Sequence, residues 1–100
     1  PETVTLTPKP SGNRTEYMFD FGTVKKNSPA TFKAKVENVV AKSIKPGCMS
    51  CTKATARQIE NDVEVIATYD SKATGKFNKT VALTLTDNTQ IIFKLIGTVV

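Results

Sequence analysis

The stretch Lys76-Phe77-Asn78-Lys79-Thr80-Val81-Ala82-Leu83-Thr84-Leu85-Thr86, the residues Asp87-Asn88-Thr89-Gln90 and the run Ile91-Ile92-Phe93-Lys94-Leu95-Ile96-Gly97-Thr98-Val99-Val100 decide the fold. Val81, Leu83 and Leu85 alternate with Ala82, Thr84 and Thr86, the period of two that puts apolar groups on one face of a strand. Asp87 and Asn88 tolerate turn geometry, so the two runs are expected to pair as an antiparallel hairpin. The rest of the chain must then cover its apolar face.

Working outward, Thr3-Val4-Thr5-Leu6-Thr7 alternates as a short first strand. Pro8, Pro10, Ser11 and Gly12 interrupt it, so residues 8–15 are expected to form a loop or arm. Glu16 to Gly22 is a second extended run with Tyr17, Phe19 and Phe21 on one face, and residues 22–29 turn the chain. From Ala30 to Val39, Phe32, Ala34 and Val36 point inward while Thr31, Lys33, Lys35 and Glu37 point out. Ala41 to Lys45 is a shorter strand stopped by Pro46-Gly47. Cys48 to Cys51 reads as a loop, Thr52 to Arg57 as extended, and Gln58 to Asp62 as a polar turn. Val63, Val65, Ala67 and Tyr69 then alternate with Glu64, Ile66 and Thr68. No segment has apolar residues at helical spacing over three turns. Seven or eight short strands at this turn spacing indicate an all-β sandwich with antiparallel pairing.

One hundred residues make one folded unit, divided here into an N-terminal strand and arm (1–15) and a sandwich domain (16–100). No run approaches the roughly 18 apolar residues of a spanning helix, so no membrane partner is expected. Pro1 has no basic-then-apolar leader after it; removal of an initiator Met is the expected history, a trimmed precursor the alternative. The net charge is +5, from 14 Lys and Arg against 9 Asp and Glu. The lysines are spread singly along strands, as on a solvated face that discourages sheet edges from pairing. Aromatic side chains do not alternate with the basic ones, which argues against nucleic acid as a partner.

Phe19-Asp20-Phe21-Gly22-Thr23-Val24, then Cys48 to Thr52, then Tyr69-Asp70-Ser71 with Gly75-Lys76-Phe77-Asn78-Lys79-Thr80, and finally Leu95-Ile96-Gly97-Thr98-Val99, resemble the ASH/Hydin-type immunoglobulin-like domains over about residues 17–100. The chain is most similar to the bacterial group with a Cys-Gly-Cys-Thr motif, although Met49 and Ser50 stand where that group has a single Gly. The resemblance implies an immunoglobulin-like sandwich used in binding or assembly rather than catalysis.

The residues that could carry chemistry are few. Cys48-Met49-Ser50-Cys51 could be two structural cysteines, a disulfide, half of a metal site shared between subunits, or a redox pair. A redox thiolate wants a helix N-terminus and zinc wants four ligands, so the first reading is favoured and the disulfide comes next. The chain has no His, which removes the usual general base. Glu60, Asp62 and Glu64 lack calcium-loop spacing and read as a solvated strand face. No cofactor, metal or catalytic residue is therefore expected.

One feature exceeds an ordinary small sandwich. On the last strand Phe93, Leu95 and Val99 fit the core, yet Ile92, Ile96 and Val100 fall on the opposite face, and Ile66 is likewise opposed to Val63 and Val65. A strand apolar on both faces has something against its outer side, either the arm or a partner. The expected interface comprises Ile66, Ile92, Ile96 and Val100, with Pro8, Pro10 and Arg14 of the arm. The function expected is a non-enzymatic structural module, a virion accessory that decorates a capsid or joins a tail. Its partners would be a major capsid or tail protein, or copies of itself, in the virion or host cytoplasm. The alternative is a binding module of the periplasm or cell envelope, with an oxidised Cys48–Cys51 pair.

Overall fold

A computed structural model describes residues 3–6 and 14–100. The strands are β1 (Thr3–Leu6), β2 (Arg14–Val24), β3 (Ala30–Val36), β4 (Ala41–Pro46), β5 (Thr52–Ile59), β6 (Asp62–Tyr69), β7 (Gly75–Leu85) and β8 (Gln90–Val99). Two four-stranded sheets, in the orders β1-β3-β6-β5 and β2-β8-β7-β4, pack face to face. The all-β sandwich read from the alternation is the fold observed. The hairpin pairs in the expected way, Val81 opposite Phe93 and Leu83 opposite Ile91. Asn88 takes a positive φ of 68° at its turn, and Asn27 and Asn38 do the same at theirs, a conformation Asn tolerates better than most residues.

Two ladders depart from the antiparallel expectation. β1 runs parallel to β3, and β2 runs parallel to β8. Alternation reports which face a residue occupies but is identical for both strand directions, so this pairing is not visible in it. The expected boundary at residues 15 and 16 also moves. Arg14 and Thr15 pair with Gln90 and Ile91 as the first residues of β2, where the ladder satisfies their backbone groups. Pro8 and Pro10 lie outside the described residues.

The core is an aromatic stack bridging the sheets. Phe19 of β2 lies flat on Phe32 of β3 with centroids 4.2 Å apart, and Phe93 of β8 tilts against Phe32 at 5.3 Å. Tyr69 of β6 stacks on Phe77 of β7 at 4.3 Å towards one end. Val36, Val63, Val65, Val81, Leu83 and Leu95 complete it and are fully buried.

Gly97 sits where β2 breaks register with β8. Between Asp20 and Thr23 the ladder carries a bulge, in which Gly22 adopts φ +66° and its amide donates to the Asp20 carboxylate at 2.8 Å. A Cβ at position 97 would meet the Phe77 ring at 2.8 Å and the Gly22 carbonyl oxygen at 2.9 Å. Glycine is required there because an aromatic ring and a bulged backbone converge on it.

The hairpin turn is held by Asp87. Its carboxylate accepts from the Thr89 hydroxyl at 2.6 Å and the Thr89 amide at 3.0 Å. The Thr89 hydroxyl, then its amide, hold the Asp87 carboxyl below its ordinary pKa. A depressed carboxyl contributes stability that is present above its unfolded pKa and lost as pH falls through the folded one.

Two outcomes follow. Gly97→Ala lowers the unfolding free energy by about 1–3 kcal/mol, the usual cost of overpacking, as a shifted midpoint in urea; an unchanged midpoint would show that the bulge yields freely. Thr89→Val, measured from neutral pH down through the carboxylate range near pH 4, loses less stability on acidification than the parent chain.

Candidate interaction surface

The expected interface residues do not share one face. Ile92, Ile96 and Val100 belong to the outer side of the β2-β8-β7-β4 sheet, whereas Ile66 lies on the outer side of the other sheet, between Lys33 of β3 and Thr55 of β5. Ile92 is only 5% exposed. It is flanked across the ladders by Glu16 of β2 and Ala82 of β7. Glu16 in turn holds Lys94 at 3.1 Å and Arg14 at 3.3 Å. Ile92 is thus covered although it lies on the outer face, and Arg14 joins the ion-paired patch beside it as part of β2. Long side chains from neighbouring strands can bury an outward isoleucine without a second protein, by laying their methylenes over it.

What remains open on this face is Ile96 and its surroundings. Ile96 is half-buried between Asp20 of β2 and Asn78 of β7. It lies in an open groove of about 520 Å³ lined also by Lys76, Thr98 and the backbone of Gly22 and Gly97. Gly22 in the bulge carries no side chain beside the groove. Met18, 64% exposed, stands diagonal to Ile96 on β2, and Val100, 63% exposed, follows β8 with its amide donating to the Val24 carbonyl. An apolar floor with a carboxylate, an amide and an ammonium around it suits a protein side chain better than a reacting substrate.

The cysteines join β4 of one sheet to β5 of the other. Cys48 and Cys51 form a disulfide, which displaces the favoured reading of two cysteines without chemistry. The Thr52 amide donates to the Cys48 carbonyl, and the Asp70 amide to the Cys51 carbonyl, both at 2.9 Å. This backbone closure brings the sulfurs together without a helix. Met49 at the tip is 80% exposed.

Glu60, Asp62 and Glu64 sit at the far end of the other sheet beside Lys35 and Ile59. Asp62 is engaged by Lys35 at 3.5 Å and by the Asn38 amide at 3.2 Å. Among the described residues no three His, Cys, Asp or Glu gather as metal ligands. Gln58, read as a turn residue, instead lies in β5 and ties this end together. Its amide nitrogen donates to the carbonyls of Val39, Glu60 and Asp62, and its oxygen accepts from the Ala41 amide. Nothing in its sequence neighbourhood marks that role, since its partners come from two other segments.

No family model and no curated protein matches this chain. Among solved structures, a chain of "Structure of PbICP-C in complex with falcipain-2" superposes with a TM-score of 0.55 over 97% of this chain and 99% of that one, at 8% identity. At that identity the likeness is one of fold alone.

The disulfide closes a four-residue loop, for which the chain-entropy relation gives about 2 kcal/mol. Reduction is expected to lower stability by no more than that. Urea unfolding with and without reductant, with the intact mass recording the bond, checks the value.

Proposed function

We propose that this chain is a non-enzymatic binding module that packs on a larger protein assembly through the Ile96 groove. The observation that carries the reading is Ile96 on the floor of that groove, with the exposed Met18 on the neighbouring β2 and the exposed Val100 just after β8. Isolated exposed apolar residues are ordinary, but three on one face beside a concavity give a partner something to bury. Asp20, Asn78 and Lys76 supply the polar rim that fixes orientation.

The setting proposed first is a virion accessory protein, decorating a capsid or joining a tail. The sandwich fold and the small, basic format support it, by analogy with modules of this kind. A second reading, an immunoglobulin-like module of the periplasm or cell envelope, is favoured by one observation, the Cys48–Cys51 disulfide. Disulfides persist in oxidising compartments and are rare where glutathione keeps thiols reduced. The ASH/Hydin-type resemblance suits either setting, because such sandwiches serve both as assembly parts and as binding modules.

Ile96→Asp places a charge on the groove floor and is expected to weaken capture of the natural partner by about 30-fold or more, a hot-spot effect of ~2 kcal/mol. Met18→Asp, at a more exposed position, should weaken it in the same direction with folding intact by circular dichroism. Undiminished capture by both folded variants would remove the groove as the docking site.

A further inference from the structure

The two ends of the sandwich carry opposite charge. At one end the ladders finish with Val24–Val99–Gly75 in one sheet and Ala30–Tyr69–Thr52 in the other. The loops there are tied together by backbone bonds: the Asn27 amide donates to the Ser71 carbonyl, and the Lys26 amide to the Val100 carbonyl. Lys25, Lys26, Lys53, Lys72 and Lys76 all belong to this end and are all exposed. None of the five has an ion-pair partner among the described residues. The acids beside them are Asp70, whose carboxylate accepts from the Lys72 backbone amide, and Asp20, which lines the groove with Lys76.

The opposite end is acidic. There the β3–β4 connection meets the β5–β6 turn, the Val39 amide donating to the Asn61 carbonyl, while the Thr86 amide of the hairpin donates to the Val40 carbonyl. This end holds Glu37, Glu60, Asp62 and Asp87. Lys35 offsets Asp62 and Arg14 is paired with Glu16. Lys42, bonded to the neutral Asn88 side chain at 3.3 Å, and Arg57, opposite Glu64, keep their charge, so the excess of acid here rests on Glu37, Glu60 and Asp87. Each end also shows bare apolar surface, Met49 at the basic one and Val40 and Ile59 at the acidic one. The molecule measures 39 × 23 × 21 Å, so the charges separate along its long axis.

We infer that the chain docks head to tail on copies of itself, the basic end of one against the acidic end of the next. Charge complementarity selects this occupant: each end is the counterpart of the other in sign, and each adds an apolar contact at its centre. An end-to-end isologous pairing would set like charge against like. An end-to-end contact is heterologous, so it leaves a free basic end and a free acidic end and propagates as a row. Its area is small. A 23 by 21 Å end offers at most about 500 Å² per copy, below the ~800 Å² of a standard stable interface. The association is accordingly weak and salt-sensitive, effective where copies are already concentrated. Nucleic acid fits the basic end less well, because Tyr17, Phe19, Phe21, Phe32, Tyr69, Phe77 and Phe93 all pack into or against the core and leave no base-stacking ring on that end. The contact uses neither Ile96 nor Met18, and the variants that test it leave Lys76 of the groove rim unchanged, so it is tested apart from the groove.

The test is sedimentation velocity on the full chain up to about 1 mM, at low salt and at ~0.5 M salt, where screening is short-ranged. Wild type is expected to show concentration-dependent mass at low salt that collapses to monomer at high salt. A basic-end variant, Lys25→Glu with Lys26→Glu and Lys72→Glu, and an acidic-end variant, Glu37→Lys with Glu60→Lys, should each be monomeric alone. Mixed one to one they should associate again, because the reversed ends complement each other. A wild type that stays monomeric at low salt overturns the inference, as do reversed variants that still associate alone or a mixture that does not. Loss of wild-type mass on adding a short DNA duplex, with the acidic-end variant binding that duplex equally well, would reassign the basic end to nucleic acid.

Discussion

Phe19 lying on Phe32 is the contact that makes two sheets into one domain. One ring comes from an edge strand of the first sheet in the chain order of its ladder, the other from an inner strand of the opposing sheet, and Phe93 closes the group from the centre. An antiparallel sheet with one apolar face cannot persist alone in water, and aromatic pairs bury more area per residue than aliphatic ones. The valines and leucines around them fill the remaining layer. The groove, the disulfide loop and the charged ends are surface features on this fixed frame, in keeping with function carried by sites placed on a scaffold.

The same backbone irregularity serves the inside and the outside. The bulge at Phe21–Gly22 and the bare Cα of Gly97 let the Phe77 ring approach, which in turn packs on Tyr69. On the other side of the sheet those positions leave the depression beside Ile96. Core packing and surface shape thus meet at one irregularity, the bulge that carries Gly22 and faces Gly97.

Much of the fold was legible because period-two alternation is a direct report of which face is buried. Val81, Leu83, Phe32, Ala34, Val63 and Val65 were all assigned inward on that basis and all are buried. Strand direction was not legible, and β2 beside β8 is parallel although nothing in Tyr17-Met18-Phe19 could say so. The site was read less well. Alternation places Ile92 on the outer face, where it lies, but does not say what covers it there; its neighbours across the ladders, Glu16 and Ala82, are 76 and 10 residues away in sequence. Ile96 lies on the outer face that alternation gives it, whereas Ile66, grouped with it, belongs to the other sheet. The polarity of the ends had no sequence signal either, since Lys25, Lys53 and Lys72 are widely separated along the chain and meet only once it folds.

The parallel pairing of β2 with β8 has a mechanical consequence. Arg14 enters this ladder at one end of the long axis and Val99 leaves it at the other. Tension applied between those points pulls the two strands along their own length in opposite senses, so the rungs between them resist together instead of opening one after another. A domain joined to neighbours at those points would bear force in shear, its strongest direction.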